Sequence, residues 1–142
     1  MANYRKGSHS VHDLKYHFVW ITKYRYKILD GDLGFRIRDI IKEVCMAWDV
    51  IILKGVVSKD HVHVLVSCPP TLAPSKLVQL MKGKSSFRAQ QEFPNLKKRY
   101  WGQHIWARGY FVSSSGSVTD EMIKEYLDNH KSNEENNNFI VE

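Results

Sequence analysis

Asp60-His61-Val62-His63-Val64-Leu65-Val66 is the stretch on which the reading of this chain turns. Its valines and leucine are β-branched or bulky, and the run is bounded by Ser58-Lys59 and Pro69-Pro70, so it reads as a strand. Side chains on a strand alternate, which sends His61, His63 and Leu65 one way and Val62, Val64 and Val66 the other. The valine side suits a core. Two imidazoles side by side on the opposite face suit the gripping of one metal ion. A solvated pair on an edge strand would carry the same motif. The neighbours narrow the metal reading. A His-x-His-x-Asp-His hydrolase motif would need Asp and His where Leu65 and Val66 stand. A cupin would have Gly55 ahead of the pair but also a Glu shortly after it, where Ser67 and Cys68 stand. Cys68 is an odd number of residues from both histidines and so faces away from them. A third ligand must come from elsewhere.

Composition bounds the rest. A chain of 142 residues, 43% hydrophobic and 25% charged, reads as one soluble globular domain with a real core. No apolar run approaches a membrane span, and Met-Ala-Asn-Tyr-Arg-Lys has no apolar signal region, so the expected location is the cytoplasm. Cys45 and Cys68 are too few for a disulfide framework and fit buried thiols in a reducing compartment. The net charge of +6 favours a polyanionic partner, with nucleic acid the leading class.

Upstream of the histidines, Val11 to Thr22 reads as a strand with Leu14, Tyr16, Phe18 and Trp20 on its core face. Lys23, Arg25 and Lys27, interleaved with Tyr24 and Tyr26, follow it. Such interleaving suits nucleic acid, with cations for phosphate and rings for stacking, although the tyrosines could equally pack. Asp30 to Trp48 is the first predicted helix, with Leu33, Ile37, Ile40, Ile41, Val44 and Cys45 at helical spacing. Val50 to Ser58 is a second strand, joined to the histidine strand as an antiparallel hairpin. A second helix runs from about Pro74 to Glu92, with Leu77, Leu80, Met81 and Phe87 inward. Lys82-Gly83-Lys84-Ser85-Ser86 resembles a phosphate-binding loop only in part: the leading glycine would fall at Val78, and no strand precedes it. A basic helix face carrying Lys82, Lys84 and Arg88 against a DNA backbone is the better reading.

Phe93 to Gly102 reads as a connector, Ile105 to Ser113 as a fourth strand, and Ser113 to Ser117 as a flexible joint before a closing helix capped at Thr119. The domain therefore spans 1–132, and 133–142 forms a disordered tail apart from the apolar residues Phe139 to Val141. The order strand, helix, strand, strand, helix, strand predicts an α+β, ferredoxin-like (βαββαβ) antiparallel sheet with helices on one face, plus the C-terminal helix. Its first and third strands are central, so the valines of the histidine strand meet the helices.

On the closing helix Tyr126 and His130 lie one turn apart on one face. Each alone could be ordinary packing or a helix-end cation. With the His-x-His pair and the basic surface they compose a site: side chains that hold a metal beside a phenolic oxygen. At this point the chain resembles the single-tyrosine HUH transposases of small bacterial and archaeal insertion sequences, the insertion-sequence 200/605 group. The resemblance covers about Leu14 to His130. It rests on Thr22-Lys23-Tyr24-Arg25, Asp60-His61-Val62-His63, Leu80-Met81-Lys82-Gly83-Lys84-Ser85-Ser86, Trp106-Ala107-Arg108-Gly109-Tyr110-Phe111 and the helix bearing Tyr126.

That resemblance implies a homodimer that cuts and rejoins single-stranded DNA at hairpin-bearing ends. It implies Tyr126 as the nucleophile and His61, His63 and His130 as ligands of a divalent ion, Mg²⁺ or Mn²⁺. Position 130 is glutamine in the prototype, so the preferred metal depends on His130. The family's tyrosine helix can also complete the histidine site of the partner subunit, which implies composite active sites. Lys23, Arg25, Lys82, Lys84 and Arg88 are the residues we assign to phosphates. A tyrosine oxygen can displace the 3′ oxygen of a phosphodiester and keep the strand as a 5′-phosphotyrosine, but a phenol titrates near ~10 and needs help to lose its proton. The competing class is a non-catalytic ferredoxin-like nucleic-acid-binding module. Its usual aromatic run on the third strand is absent, and the histidines stand there instead.

Overall fold

The computed structural model describes residues 4–7, 11–114, 125 and 139–142. Two short strands, β1 (Arg5–Lys6) and β2 (Val11–His12), pair ahead of the main sheet. From edge to edge the main sheet runs β6 (Phe111–Ser114), β3 (Lys15–Ile21), β5 (His61–Ser67), β4 (Ile51–Ser58) and β7 (Phe139–Val141). With α1 (Gly31–Ala47) after β3 and α2 (Pro74–Glu92) after β5, the four strands β3 to β6 give the expected ferredoxin-like α+β arrangement, its first and third strands central.

One face of that sheet is the core. Phe18 and Trp20 of β3 and Val62, Val64 and Val66 of β5 are fully buried in one cluster with Leu33, Ile37, Ile41, Val44 and Cys45 of α1. Leu77, Val78 and Met81 of α2 complete it. Each such side chain contributes roughly 1.5–3 kcal/mol through apolar burial, which fixes the register: a slip by one residue would drive the valines to the other face.

Five expectations change, the first being that the strand read from Val11 to Thr22 is split: Val11–His12 pairs with β1, and only Lys15–Ile21 joins the main sheet. Phe87 is not inward but 64% exposed, because the inner face of α2 continues through Ser85, Ser86, Ala89 and Gln90. The connector after Phe93 contains a third helix, α3 (Pro94–Arg99). The fourth strand is shorter than its apolar content suggests: Ile105 and Trp106 are buried in irregular chain, with one bridge from Trp106 to Thr22, and only Phe111–Ser114 forms the ladder with β3. Ser113 ends up in a strand as expected, and Ser114, expected in the joint, belongs to β6 with it. The closing helix, with Tyr126 and His130, lies outside the described residues.

The sheet also gains a fifth strand. Phe139 to Val141, the apolar residues excepted from the tail, pair parallel with Gly55 to Val57 of β4. Two glycines make room for them. A Cβ on Gly55 would stand 2.5 Å from the Phe139 ring, and one on Gly34 would stand 2.6 Å from Val141 Cγ1. Gly55→Ala should therefore lower stability by about 1–3 kcal/mol in urea unfolding. In a Phe139→Ala background the same substitution should cost much less. Equal costs in both backgrounds would mean that the ring is not what Gly55 accommodates.

Candidate active site

The hairpin between β4 and β5 turns at Lys59-Asp60, which delivers Asp60 to the mouth of the histidine strand. Directly opposed residues on antiparallel strands share a face. Ile21 and Ser58 flank His61, and Val19 and Val56 flank His63. All four are on the side away from the valine core, as the alternation requires. Both imidazoles are buried nonetheless, His61 completely.

Asp60 organises the corner. Its Oδ1 lies 2.9 Å from His61 Nδ1, and its Oδ2 accepts from Arg25 Nε at 3.0 Å and Nη2 at 2.7 Å. Its backbone carbonyl accepts from Thr22 N at 2.9 Å, and Thr22 Oγ1 also donates to Tyr26 O at 2.8 Å. Burial would push the Asp60 carboxyl up, but the hydrogen bonds from His61 and Arg25, with the charge of Arg25, outweigh it and hold the group below its usual range. A carboxylate on Nδ1 sets the tautomer and ring angle and presents Nε2 to an ion. The motif Thr22-Lys23-Tyr24-Arg25 has a local meaning here: a 3₁₀ turn with Tyr24 at φ 61° and Arg25 at φ 54° swings Arg25 onto the aspartate.

His17 is a residue that the sequence reading did not single out. Its Nδ1 lies 3.2 Å from His63 Nε2, and the rings stack at 5.5 Å between centroids. The signal was available: β3 and β5 are the two central strands, and His17 shares the parity of Val19, which faces His63. Among the described residues no group of three or more His, Cys, Asp or Glu side chains gathers as a metal cluster. His130, assigned as the third ligand, and Tyr126, assigned as the nucleophile, lie outside those residues. Cys68 is in the core as its parity requires. Burial pushes its thiol up to about 11 and that of Cys45 up to about 12, so neither is a ready thiolate.

The five cations assigned to phosphates have diverse surroundings. Arg25 is held by Asp60, and Arg88 by Glu43 at 2.7 Å. Lys82 donates to the carbonyls of Ala107 at 2.9 Å and Gly109 at 2.8 Å, and burial lowers its pKa. Lys84 is exposed, and Lys23 Nζ lies 5.4 Å from the centre of the Tyr24 ring. Lys82 explains why two of the sequence blocks occur together. Trp106 Nε1 donates to Ser85 Oγ at 2.9 Å and Ile105 N to Ser86 Oγ at 3.1 Å, so α2 is the frame on which the 105–109 segment hangs.

The Asp60 geometry gives a prediction that needs no DNA. Asp60→Asn keeps the shape but loses the charge, and Mn²⁺ affinity followed by electron paramagnetic resonance should fall by about 10- to 100-fold. Unchanged affinity would leave Asp60 as an anchor for Arg25 only.

Known proteins resemble this chain over most of its length. The sequence profile described as "Transposase IS200 like" matches residues 10–130. The ISDra2 transposase TnpA of Deinococcus radiodurans is 30% identical over 92% of this chain and 93% of its own length. The transposase for insertion sequence element IS200 of Salmonella typhimurium is 31% identical over 95% and 91%. A crystal structure of a Deinococcus radiodurans protein described as a transposase superposes with a TM-score of 0.79 at 29% identity, covering 91% of this chain and 99% of that one. A REP-associated tyrosine transposase bound to a REP hairpin shares the fold at a TM-score of 0.52 and 16% identity, over 90% and 69% of the two chains. The profile takes in β3, the histidine strand and the position of Tyr126, and two relatives align over nearly their whole length. The chain belongs to the IS200-like transposase family.

Proposed function

We propose that this transposase cuts and rejoins single-stranded DNA at hairpin-bearing element ends, working as a homodimer with a divalent metal ion, Mg²⁺ or Mn²⁺. The observation that supports this best is the His-x-His pair of β5, buried on the face away from the valine core, with His61 aimed by Asp60. The donor set fits a metal: two imidazoles on one strand face, one of them braced by a carboxylate at Nδ1. His61, His63 and His130 would hold the ion. When bound, it would offset the phosphodiester charge and polarise the phosphorus.

The chain's own residues do the rest. The Tyr126 oxygen attacks phosphorus as its proton passes to solvent water, the P–O3′ bond breaks, and the 3′ oxygen departs and takes up a proton from water. The strand is left as a 5′-phosphotyrosine. That link keeps the phosphodiester bond energy, so a 3′-hydroxyl can later reverse the step without ATP. Asp60 and Arg25 hold the His61 ring, and His17 steers that of His63. The exposed Lys84, with Lys23, meets the phosphate backbone.

The test uses labelled single strands copied from the DNA that flanks the gene, on denaturing gels. Protein with Mg²⁺ or Mn²⁺ should give a covalent protein–DNA band. Chelation with EDTA should remove it, and fresh metal should restore it. Hairpin binding with no covalent band under any divalent ion would overturn the catalytic reading in favour of a binding module.

A further inference from the structure

The turn that sends Arg25 inward sends Tyr24 outward. Tyr24 is 69% exposed, on left-handed backbone that costs a bulky residue energy. Its ring centre lies 5.4 Å from that of Tyr26, and Tyr26 lies 6.0 Å from Tyr100, a buried ring that backs the cluster. The Arg99 guanidinium covers Tyr26 at 4.2 Å from the ring centre. Lys23 attends Tyr24. One residue beyond Tyr100, Trp101 is 86% exposed, also on left-handed backbone at φ 56°. It lines an open groove of about 760 Å³ with Lys97 and Lys98. Burying neither Tyr24 nor Trp101 forgoes much of the stabilisation that large rings can supply, so core packing does not account for their placement.

We infer that Tyr24, Tyr26 and Trp101, with Arg99 and the Lys97–Lys98 groove, form a stacking platform for unpaired bases of a single DNA strand. Rings take bases of any identity by their faces, and cations track the phosphates between them. The charge pattern gives the platform a direction. Asp30 and Asp32 line a neighbouring hollow on the Lys27 and Arg99 side, so phosphates are steered towards Lys97 and Lys98. The platform is also mechanically tied to the histidine site. Arg25, the residue after Tyr24, is clamped to the aspartate that aims His61. Bases stacked at this corner would fix how the strand enters the site. This inference rests on the DNA-strand reading above and adds where the unpaired bases are held.

The test compares two fluorescein-labelled strands: oligothymidine of about twelve nucleotides, within the usual site size, and an equally long strand of abasic residues with the same charge. By fluorescence anisotropy the wild type should bind oligothymidine about tenfold more tightly than the abasic strand. Tyr24→Ala and Trp101→Ala should each weaken thymidine binding by about 5- to 30-fold and leave abasic binding unchanged. Tyr24→Phe, which keeps the ring, should behave as wild type. Equal losses on both strands, no loss on either, or a wild type indifferent to bases would overturn the platform. If the wild type shows that indifference yet still forms its metal-dependent covalent band, the platform alone falls. If it neither binds nor reacts with any strand, the DNA reading falls with it.

Discussion

Tyr126→Phe should abolish the covalent DNA band, by at least about 10³-fold, while hairpin affinity stays close to wild type. The substitution deletes one oxygen and keeps the ring, so whatever packing the side chain makes is retained. It also leaves the charges that meet phosphate untouched, and those supply most of the affinity for a nucleic-acid backbone. Ground-state binding and chemistry should therefore separate cleanly. His63→Ala provides the contrast: it should lose both the band and metal affinity, because it removes a ligand rather than the attacking group. A normal yield of adduct from Tyr126→Phe would remove Tyr126 from the mechanism, whereas loss of hairpin binding in that variant would make it a contact residue.

What was legible in the sequence follows physical lines. The histidine strand could be read because alternation with a period of two leaves valines no other face, and α1 because six apolar residues recur at helical spacing. Their burial in one cluster, or beside it, is what those patterns demand. α2 was legible in extent but not in facing. Its inner surface is partly polar: Ser85, Ser86 and Gln90 bond to Trp106, Ile105 and Gln103. A rule that turns apolar residues inward then misplaces Phe87. α3 was hidden by composition, since Pro94 and the run Lys97-Lys98-Arg99 look like a solvated connector, and only Leu96 of its residues is buried.

The site was legible to a similar depth. Parity placed His61 and His63 together, but two roles were beyond local reading. Asp60 looks like an ordinary turn residue, and its work depends on Arg25, which reaches it across 35 residues of sequence. Lys82 looks like a phosphate ligand because its neighbours are basic. It also donates to the carbonyls of Ala107 and Gly109, which belong to another part of the chain. In each case the partner is distant in sequence, and charge alone does not tell a buried brace from an exposed contact.

Mixed dimers of Tyr126→Phe with His63→Ala should recover cleavage that both parent homodimers lack. The prediction follows from our proposal that each active site takes His61 and His63 from one chain and Tyr126 and His130 from the other. β6 ends at Ser114 on the sheet edge next to β3, while the histidines lie on the other central strand, β5. The small residues Ser115, Gly116 and Ser117 would be the link that lets the tyrosine segment reach a partner. In a hybrid, the His63→Ala chain brings an intact tyrosine and the Tyr126→Phe chain an intact histidine pair, so one of two composite sites is whole. Roughly half of randomly mixed dimers are hybrids, so activity should return to about a quarter of wild type, from a background near zero. The DNA should be attached only to the His63→Ala chain, which a size tag on one chain would reveal on a denaturing gel. Sites assembled within one chain predict the opposite: every site in a hybrid then lacks either its nucleophile or a ligand, and verified hybrids stay inactive. Because the two assemblies differ in which chain carries the label as well as in rate, a small amount of residual wild-type activity cannot mimic the result.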